Sequence, residues 1–472
     1  MKSTLLLAIA ASLLELSEAA SLPRRKSPSV LSLQTHRKQT PNPIHRDRLR
    51  KLRKRDGTLS ADLDNESALY YVNVTIGTPG QRLRLDIDTG SSDIWCNSDD
   101  SEFCQQNDGS DCRESGTFNA NHSSTYEYVN SDFKIQYVDN SEAAGDYATD
   151  TLNIGGNDID DIRFGIGYTS TSAQGILGVG YMSNEVQRNT DGKTYPNLPQ
   201  ALVDRGTIQS NAYSLWLNDL SSETGNVLFG GIDSDKYEGS LQTVPIVKQE
   251  NKNTEFIIAL TGLSSQDQDL MGDMDPFGVL LDSGASLSYL PNDIALDLYD
   301  MYGLESTTSD GVPEVDCDLA NSEDSVEFSF SGINITVPMN ELILTSQITA
   351  TGKKCVFGIG PSDDGLSVLG DTFLRSAYVV YDLENNQISL AKTNFNSTSS
   401  DIQEIGTGEE AVPDATLIKD AVTSVADASG GGRCGGCTVV SGVERSLAPG
   451  GRFALVMASV GVAVVGGVLE LV

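Results

Sequence analysis

The chain has 472 residues, 39% of them hydrophobic, and a formal net charge of −34 at pH 7, so it is long enough for two domains with sizeable cores. Thirteen Lys/Arg and three Asp/Glu give residues 1–55 a net charge of +10, and subtraction from −34 leaves −44 for residues 56–472. So acidic a body repels nucleic acids and anionic membranes, which argues against both as partners. Of three histidines only His122 lies beyond residue 55, which argues against a Ser-His-Asp triad and against a zinc site built from several histidines.

The N-terminal residues have the composition of a secretory signal peptide. An apolar run from Leu5 to Leu16 follows Lys2, and small residues precede residue 21, so we expect a signal peptide over residues 1–20. The run is too short to span a membrane. The alternative is a buried N-terminal helix.

Residues 21–55 are basic, contain four prolines and end in Lys54-Arg55. This dibasic end predicts a pro-peptide that a processing protease cleaves after Arg55. We expect the pro-peptide to bind the chain's own acidic body and to dissociate when carboxylates become protonated at low pH. The alternative is a solvated basic arm.

Residues 68–395 are rich in alternating apolar runs separated by Gly, Asn and Asp, which predicts an all-β fold with few helices. The two helical candidates are Leu198–Arg205 and Asn292–Tyr302. We expect an N-terminal lobe over residues 56–245 and a C-terminal lobe over residues 246–395.

The chain changes character after Phe395. The Ser, Thr, Gly and acidic composition of residues 396–441 predicts a disordered linker, because it offers too little apolar surface to fold. Residues 442–472 end in an apolar run with no basic residue after it, which is typical of a glycolipid-anchor (GPI) signal. The alternative is a tail-anchor helix.

One motif occurs twice and organises the chain. Residues 83–95 read LRLDIDTGSSDIW, and residues 279–286 read VLLDSGAS. Each copy precedes an apolar-apolar-Gly signal, with 90 residues from Asp88 to Gly178 and 88 from Asp282 to Gly370. This internal repeat predicts two similar lobes that each contribute one aspartate to a catalytic pair. The alternative is two unrelated turns.

Paired aspartates within hydrogen-bond reach have a defined chemistry. Two such carboxylates share one proton, so one acts as a base on water while the other donates a proton to the scissile carbonyl. Gly90 and Gly284 let the chain turn sharply beside the carboxylates and bring N–H groups to them. This chemistry needs no metal and no cofactor.

The cysteine content fits an oxidising compartment. Cys104 with Cys112 and Cys317 with Cys355 are candidate disulfides, although Cys96 could replace either partner of the first pair. A tail disulfide is the preferred interpretation of Cys434 and Cys437, over half a zinc site or a redox motif. Candidate glycosylation sites, which require surface positions, are Asn65, Asn73, Asn121, Asn334 and Asn396.

Residues 69–393 resemble pepsin-like aspartic endopeptidases, most closely the fungal candidapepsin and yapsin branch, whose members are often anchored by a glycolipid. The resemblance is carried by DTGSSDIW at 88–95, QGILGVGY at 174–181, DSG at 282–284 and LGDTFLRSAYVVY at 369–381. It implies a bilobal all-β fold with the active-site cleft between pseudo-symmetric lobes. It also implies that Asp88 and Asp282 are catalytic, with support from Thr89, Ser91 and Ser283.

The resemblance further implies a flap, a β-hairpin that closes over an extended peptide substrate. Residues 133–141 match it, with Tyr137 as the flap tyrosine and Asp139 and Ser141 as substrate-binding candidates together with Gly90, Gly284 and Ser286. Val138 and Asn140 stand where glycines are usual in the family. The alternative for Tyr137 is an ordinary half-buried strand residue.

Ala285 and Asp86 give two further predictions, one on the pH optimum and one on substrate preference. Ser91 is expected to donate a hydrogen bond to Asp88, but the equivalent position after Asp282 is Ala285, which has no hydroxyl. The missing donor should raise the pKa of Asp282 and make the pH optimum less acidic. Asp86 lies on the same strand face as Asp88, so it could favour Lys or Arg in the substrate; a solvated or hydrogen-bonded strand aspartate is the alternative.

These patterns predict a secreted, surface-anchored aspartic endopeptidase, made as a monomeric zymogen, that cleaves proteins and peptides at acidic to mildly acidic pH. The first alternative is a catalytically inactive family member that binds peptides in the cell wall. A glycosidase would also use two carboxylates, but it explains neither the repeat nor its spacing, and only two tryptophans are available as sugar platforms.

Overall fold

A computed structural model describes residues 28–37, 69–105, 110–137, 141–249, 251–305, 312–349, 352–362 and 366–425. Several predicted features lie outside these ranges: the signal peptide, the processing site at Lys54-Arg55, Asn65, Asp139, Cys434, Cys437 and the anchor signal.

Most elements of the described ranges are strands, as the alternating apolar pattern predicts. In chain order they are β1 Leu31–Arg37, β2 Tyr70–Ile76, β3 Gln81–Asp88, β4 Ile94–Asn97, β5 Glu127–Gln136, β6 Glu142–Ile154, β7 Asn157–Ser170, β8 Gly175–Gly178, β9 Ala212–Trp216, β10 Thr224–Phe229, β11 Gly231–Asp233, β12 Tyr237–Pro245, β13 Ile257–Leu260 and β14 Gly262–Ser265. The later strands are β15 Gln268–Asp269, β16 Phe277–Leu281, β17 Ser288–Pro291, β18 Glu314–Val315, β19 Ser325–Phe330, β20 Ile333–Pro338, β21 Ile343–Thr349, β22 Gly352–Phe357, β23 Ile359–Ser362, β24 Ser367–Leu369, β25 Ala377–Asp382, β26 Gln387–Thr393, β27 Ile402–Glu404 and β28 Thr416–Leu417.

The helices are short and connect strands. The α-helices are α1 Glu102–Gln105, α2 Ser110–Ser115, α3 Val186–Asp191, α4 Leu198–Asp204, α5 Asn292–Met301, α6 Met339–Leu342 and α7 Asp371–Leu374. Two of them, α4 and α5, match the two helical candidates of the sequence to within one residue. No helix among the described residues is long and apolar enough to cross a membrane.

The two copies of the aspartate motif adopt the same strand arrangement. In the N-terminal lobe β8 pairs in parallel with β3 and antiparallel with β4, while β4 also pairs in parallel with β7. In the C-terminal lobe β24 pairs in parallel with β16 and antiparallel with β17, while β17 also pairs in parallel with β23. The predicted all-β fold with two similar lobes is therefore present.

The lobes are joined by a shared sheet. It runs β28-β12-β26-β25-β9-β10-β1-β2-β3-β8-β4-β7-β6-β5, so that strands from residues 212–245 pair with strands from residues 377–393. β25 is buried along its whole length, whereas β19 alternates buried and half-buried residues. Continuous burial is expected where both faces of a strand are covered, and alternation where one face meets solvent.

Strand β1 comes from the predicted pro-peptide. It pairs antiparallel with β10 over six residues and with β2 over two, and it buries Leu31 and Leu33 on the body. This strand fills the gap between β10 and β2 in the shared sheet.

Residues 396–425 differ from the disordered linker predicted for residues 396–441, and we call them the C-terminal strap. Within the strap, β27 pairs with β11 and β28 pairs with β12. Ile405, Ala411 and Val412 are buried. Composition failed here because these few apolar residues need no core of their own: they pack on the existing body, and strand pairing satisfies their backbone.

Candidate active site

The two aspartates end the parallel strand pairs of their lobes. Asp88 is the last residue of β3 and lies opposite Gly178, and Asp282 directly follows β16. The N–H of Gly90 donates to Asp88 Oδ1 and the N–H of Gly284 donates to Asp282 Oδ1, both at 2.8 Å. Each carboxylate is therefore held by its own turn in the same way.

The two turns face each other closely. A Cβ atom built on Gly90 would lie 2.7 Å from Oδ1 of Asp282, and one built on Gly284 would lie 2.6 Å from Oδ1 of Asp88. Both distances are shorter than any normal contact, so only glycine fits between the carboxylates. This close approach, rather than an unusual backbone angle, explains why the motif carries glycine in both copies.

Hydroxyl side chains lock the turns together. Thr89 Oγ1 donates to the carbonyl of Leu281 at 2.8 Å and accepts from the N–H of Ser283 at 2.9 Å. Ser283 Oγ donates to the carbonyl of Ile87 at 2.8 Å and accepts from the N–H of Thr89 at 3.2 Å. Each lobe therefore satisfies buried backbone groups of the other, which fixes the positions of the carboxylates.

The supporting hydroxyls differ between the lobes. Ser91 Oγ donates to Oδ2 of Asp88 at 2.5 Å. Ala285, which occupies the matching position beside Asp282, is buried and offers no hydroxyl. Ser286, the remaining predicted contact of this turn, is also buried.

A third carboxyl group lies near the second aspartate. Asp371 directly follows Gly370, is fully buried, and donates its N–H to the carbonyl of Ala285 at 2.8 Å. Burial raises the pKa of Asp371 well above its usual range; Arg375 opposes the shift and the charge of Asp282 adds to it. Burial at this position therefore favours the neutral form of the Asp371 carboxyl group.

The predicted flap tyrosine lies at the tip of the β5–β6 hairpin. The N–H of Tyr137 donates to the carbonyl of Ser141 at 2.9 Å, which closes the hairpin, and the Tyr137 hydroxyl accepts from Trp95 Nε1 at 2.7 Å. Burial and the nearby charge of Asp88 raise the pKa of Tyr137 well above its usual range. Tyr137 therefore stays a neutral phenol beside the first aspartate.

Asp86 has a defined partner. Its carboxylate is 5% exposed and accepts a hydrogen bond from Gln174 Nε2, 88 residues further along the chain. This contact fits the alternative of a hydrogen-bonded strand aspartate, and sequence spacing gave no signal for the glutamine.

The described cysteines form two disulfides and one free thiol. Disulfides join Cys104 to Cys112 and Cys317 to Cys355, the two predicted pairs. Cys96 is a buried free thiol whose pKa is raised by burial. The described sequons at Asn73, Asn121, Asn334 and Asn396 are exposed, as glycosylation requires.

Sequence reasoning missed a buried carboxylate in the first motif. Asp93 is 0% exposed, and its Oδ1 accepts from the hydroxyls of Tyr147 at 2.7 Å and Tyr195 at 2.6 Å. Its Oδ2 accepts from the N–H of Val186 at 2.9 Å. The only signal in the sequence was a charged residue amid a motif whose neighbours are apolar or small.

Known proteins are similar in sequence to most of this chain. The family model for eukaryotic aspartyl proteases matches residues 69–393. The probable aspartic-type endopeptidase opsB of Aspergillus oryzae is 50% identical over 464 residues, which cover 96% of this chain and 95% of that protein. An acid protease of Saccharomycopsis fibuligera is 36% identical over 72% of this chain and 85% of its own length.

Barrierpepsin of Saccharomyces cerevisiae is more distant, at 35% identity over 73% of this chain and 64% of its own length. The region that the family model matches contains both aspartate turns, the β5–β6 hairpin and all strands of the shared sheet except β1 and β28. The chain thus belongs to the eukaryotic aspartyl protease family and is an aspartic-type endopeptidase.

Proposed function

We propose that Asp88 and Asp282 are the catalytic pair and share one proton at acidic pH, as is established for aspartic proteases as a class. One carboxylate takes a proton from a water molecule, which attacks the scissile carbonyl carbon. The other donates its proton to the carbonyl oxygen. As the C–N bond breaks, the carboxyl group that took the water proton donates it to the leaving nitrogen, and the carbonyl oxygen returns its proton to the second carboxylate, which restores the shared proton. The observation that carries this proposal is the approach of each glycine turn to the opposite carboxylate.

The test is replacement of each aspartate in the processed protein. Asp88→Asn and Asp282→Asn should each lower kcat by about 10²–10⁴-fold or more, because general acid–base catalysis contributes at least that much. Asp297→Asn, an exposed aspartate on α5, is the matched control. Cleavage of a peptide library is followed by mass spectrometry with and without pepstatin.

Full activity in either active-site variant would contradict the pair. A folded wild-type protein that binds pepstatin without cutting any peptide would support the alternative of an inactive peptide-binding protein.

We propose that the enzyme is made as a zymogen whose pro-peptide is residues 21–55. Support comes from the pairing of β1 with β10 and β2 and from the burial of Leu31 and Leu33. The charge of +10 on residues 1–55 also complements the −44 of the rest. Replacing Lys54 and Arg55 together by alanine should leave a longer, inactive protein, which N-terminal sequencing and activity measurements would detect.

Secretion and a glycolipid anchor complete the proposal, and they are supported by the composition of residues 1–20 and 442–472. A phosphatidylinositol-specific phospholipase should release the protein from intact cells, whereas a variant ending at residue 441 should appear in the medium. Retention of the full chain after phospholipase treatment contradicts the anchor.

A preference for basic residues beside the scissile bond depends on Asp86, whose carboxylate lies two residues before Asp88 on β3. If Asp86 attracts Lys or Arg, Asp86→Leu should remove that preference from the cleavage profile. An unchanged profile means that Asp86 does not set the preference and that its contact with Gln174 has a structural role.

A further inference from the structure

A second pair of carboxyl groups, Asp93 and Glu185, is buried in the N-terminal lobe. Asp93 lies five residues after Asp88 in the sequence. Glu185 precedes α3 and is 1% exposed, and Asp93 is 0% exposed. Tyr195 connects them, since its N–H donates to Glu185 Oε2 at 2.8 Å and its hydroxyl donates to Asp93 Oδ1. We call Asp93, Tyr147, Glu185 and Tyr195 the carboxyl cluster.

The carboxyl cluster reaches the catalytic loop through the backbone. Asp93 lies five residues after Asp88 in the same turn, and its carbonyl accepts from the N–H of Gly178 at 3.1 Å. The next residue, Val179, donates its N–H to the carbonyl of Asp88 at 3.0 Å. A displacement of Asp93 therefore acts on the backbone that holds Asp88.

The carboxyl cluster also reaches the flap. Tyr147 lies on β6, the second flap strand, and its ring packs edge-on against Phe133 at 5.3 Å between ring centroids. Phe133 lies 6.3 Å from Trp95, which holds the hydroxyl of Tyr137. One contiguous row of side chains thus connects Asp93 with the flap tyrosine.

The two carboxyl groups are satisfied to different extents. Burial raises the pKa of Asp93, but its three hydrogen bonds, from Tyr195, Val186 and Tyr147, oppose that shift because they favour the ionised form. Glu185 Oε2 accepts one, but Oε1 is buried without a hydrogen-bond partner in the described structure. A charge on Glu185 would be poorly compensated there and would face the charge of Asp93, so the geometry favours a neutral acid.

We propose that Asp93 and Glu185 are positioning residues of this protease, and that the carboxyl cluster holds the catalytic loop against the flap only while Glu185 is protonated. The inference deepens the proposed function and rests on it. Glu185 thereby acts as a proton-dependent latch that opens as the medium becomes neutral to alkaline.

The direction of the pH dependence follows from the surroundings of Glu185. Burial raises its pKa from 4.5 to about 8; the N–H of Tyr195 opposes the shift, the charge of Asp93 adds to it, and Arg163 on β7 opposes it. The phenol groups of Tyr147 and Tyr195 are further described titratable groups within electrostatic reach of Glu185. Arg163 contacts the Tyr195 ring from 5.0 Å and donates to Gln187.

Because the pKa in the folded state is raised above the unfolded value, the folded state binds this proton more tightly. Its stabilising contribution is complete below pH about 4.5 and is lost as the pH rises to about 8. We therefore expect the N-terminal lobe to loosen over this interval.

The experiment compares Glu185→Gln with wild type in the processed enzyme. Glutamine keeps the acceptor for Tyr195 but cannot ionise, so the midpoint of alkaline unfolding, followed by circular dichroism, should rise by about one pH unit or more. The ratio of kcat/KM at pH 8 to that at pH 5 should rise with it. Glu384→Gln, which changes an exposed glutamate, should move neither.

The proposal is overturned if Glu185→Gln and wild type unfold at the same alkaline pH midpoint. It is also overturned if Glu384→Gln raises that midpoint as much as Glu185→Gln does. Activity of wild type at pH 5 tests the protease function separately, because the unfolding midpoint is measured without substrate.

A measurement on the wild-type protein tests the proposal even where Glu185→Gln folds poorly. Hydrogen–deuterium exchange, corrected for its intrinsic pH dependence, should show a peptide over residues 182–198 losing protection between pH 6 and 9. A peptide over α5 in the C-terminal lobe should keep its protection over that interval. Simultaneous loss in both peptides contradicts a local latch.

Discussion

At the scale of single residues, the two halves of the active site differ by one hydroxyl group. Ser91 donates to Asp88, and buried Ala285 offers no such donor to Asp282. Ala285→Thr should supply one and lower the pKa of Asp282, because a donor stabilises the ionised form. The acid limb of the pH–rate profile should move downward by about one to two pH units, since a hydrogen bond to a charged group contributes ~1.5–3 kcal/mol and one pKa unit corresponds to about 1.4 kcal/mol.

Ala285→Val is the matched control, because valine has the shape of threonine without the hydroxyl. Profiles of kcat/KM against pH, measured for both variants and wild type, separate the two effects. An equal displacement by valine and threonine would assign the change to packing and not to the hydrogen bond.

The glycines of the two turns give a second residue-scale prediction. Gly90→Ala places a methyl group 2.7 Å from the carboxyl carbon of Asp282, so the carboxylates must separate. We expect kcat to fall by about 10²-fold, which is typical of a misplacement of about 1 Å at a reacting centre.

Gly406→Ala is the control, because its nearest contact would be an ordinary 3.7 Å to the carbonyl of Ala411. Normal kcat in Gly90→Ala, in a protein with an unchanged melting temperature, would show that the turns tolerate more space than their geometry suggests.

At the scale of elements, one side-chain hydrogen bond connects the predicted flap tyrosine, Tyr137, to Trp95 on β4. Tyr137→Phe removes the acceptor of the Trp95 indole N–H, and Trp95 is 1% exposed. An unpaired buried donor costs about 1–3 kcal/mol, so flap closure over substrate should weaken and kcat/KM should fall by about 5- to 100-fold.

Tyr128→Phe provides the comparison on the same hairpin, because its side chain is 56% exposed and its hydroxyl contacts only Ser131 among the described residues. Steady-state kinetics on one peptide substrate measures both. Equal kcat/KM for the two variants would support the alternative that Tyr137 is an ordinary strand residue.

At the scale of the whole molecule, the C-terminal strap joins parts of the chain that are distant in sequence. The N–H of Ile418 donates to the carbonyl of Thr243 at 2.9 Å, and the N–H of Val422 donates to Ser331 Oγ at 3.0 Å. Lys236 donates to the carbonyls of Ser397 and Ser399, which fixes the start of the strap.

Removal of the strap should therefore destabilise the protein. A chain ending at residue 395 exposes the surfaces that Ile405 and Val412 cover, and burial of such side chains contributes roughly 1.5–3 kcal/mol each. The melting temperature should fall by several degrees. A chain ending at Val425 keeps every described strap contact and is the control; equal melting temperatures would show that the strap adds nothing.

The strands, the two lobes and the aspartate turns were predictable because each follows from a local sequence pattern. Alternating apolar residues predict strands, since successive side chains point to opposite faces. The repeated Asp-Thr/Ser-Gly turn predicts two equivalent lobes, because each copy carries its own apolar-Gly partner at nearly equal spacing. Cysteine spacing narrowed the disulfides to two pairs but left Cys96 as a rival partner.

Tertiary structure decided what no local pattern encodes. Tyr195 meets Asp93 across 102 residues and Gln174 meets Asp86 across 88, because closure of the lobe brings their strands and loops together. Strand β1 and the C-terminal strap are similar cases, because their composition predicts little order. Both are ordered by pairing with strand edges of the two lobes and by packing apolar side chains on the surface of the lobes. The sequence by itself determined the strand-rich lobes and the two aspartates that we propose as the catalytic pair, through short periodic and repeated patterns. Burial, and with it the partners and pKa of Glu185, became defined only when the lobe packed, since desolvation depends on every neighbour at once.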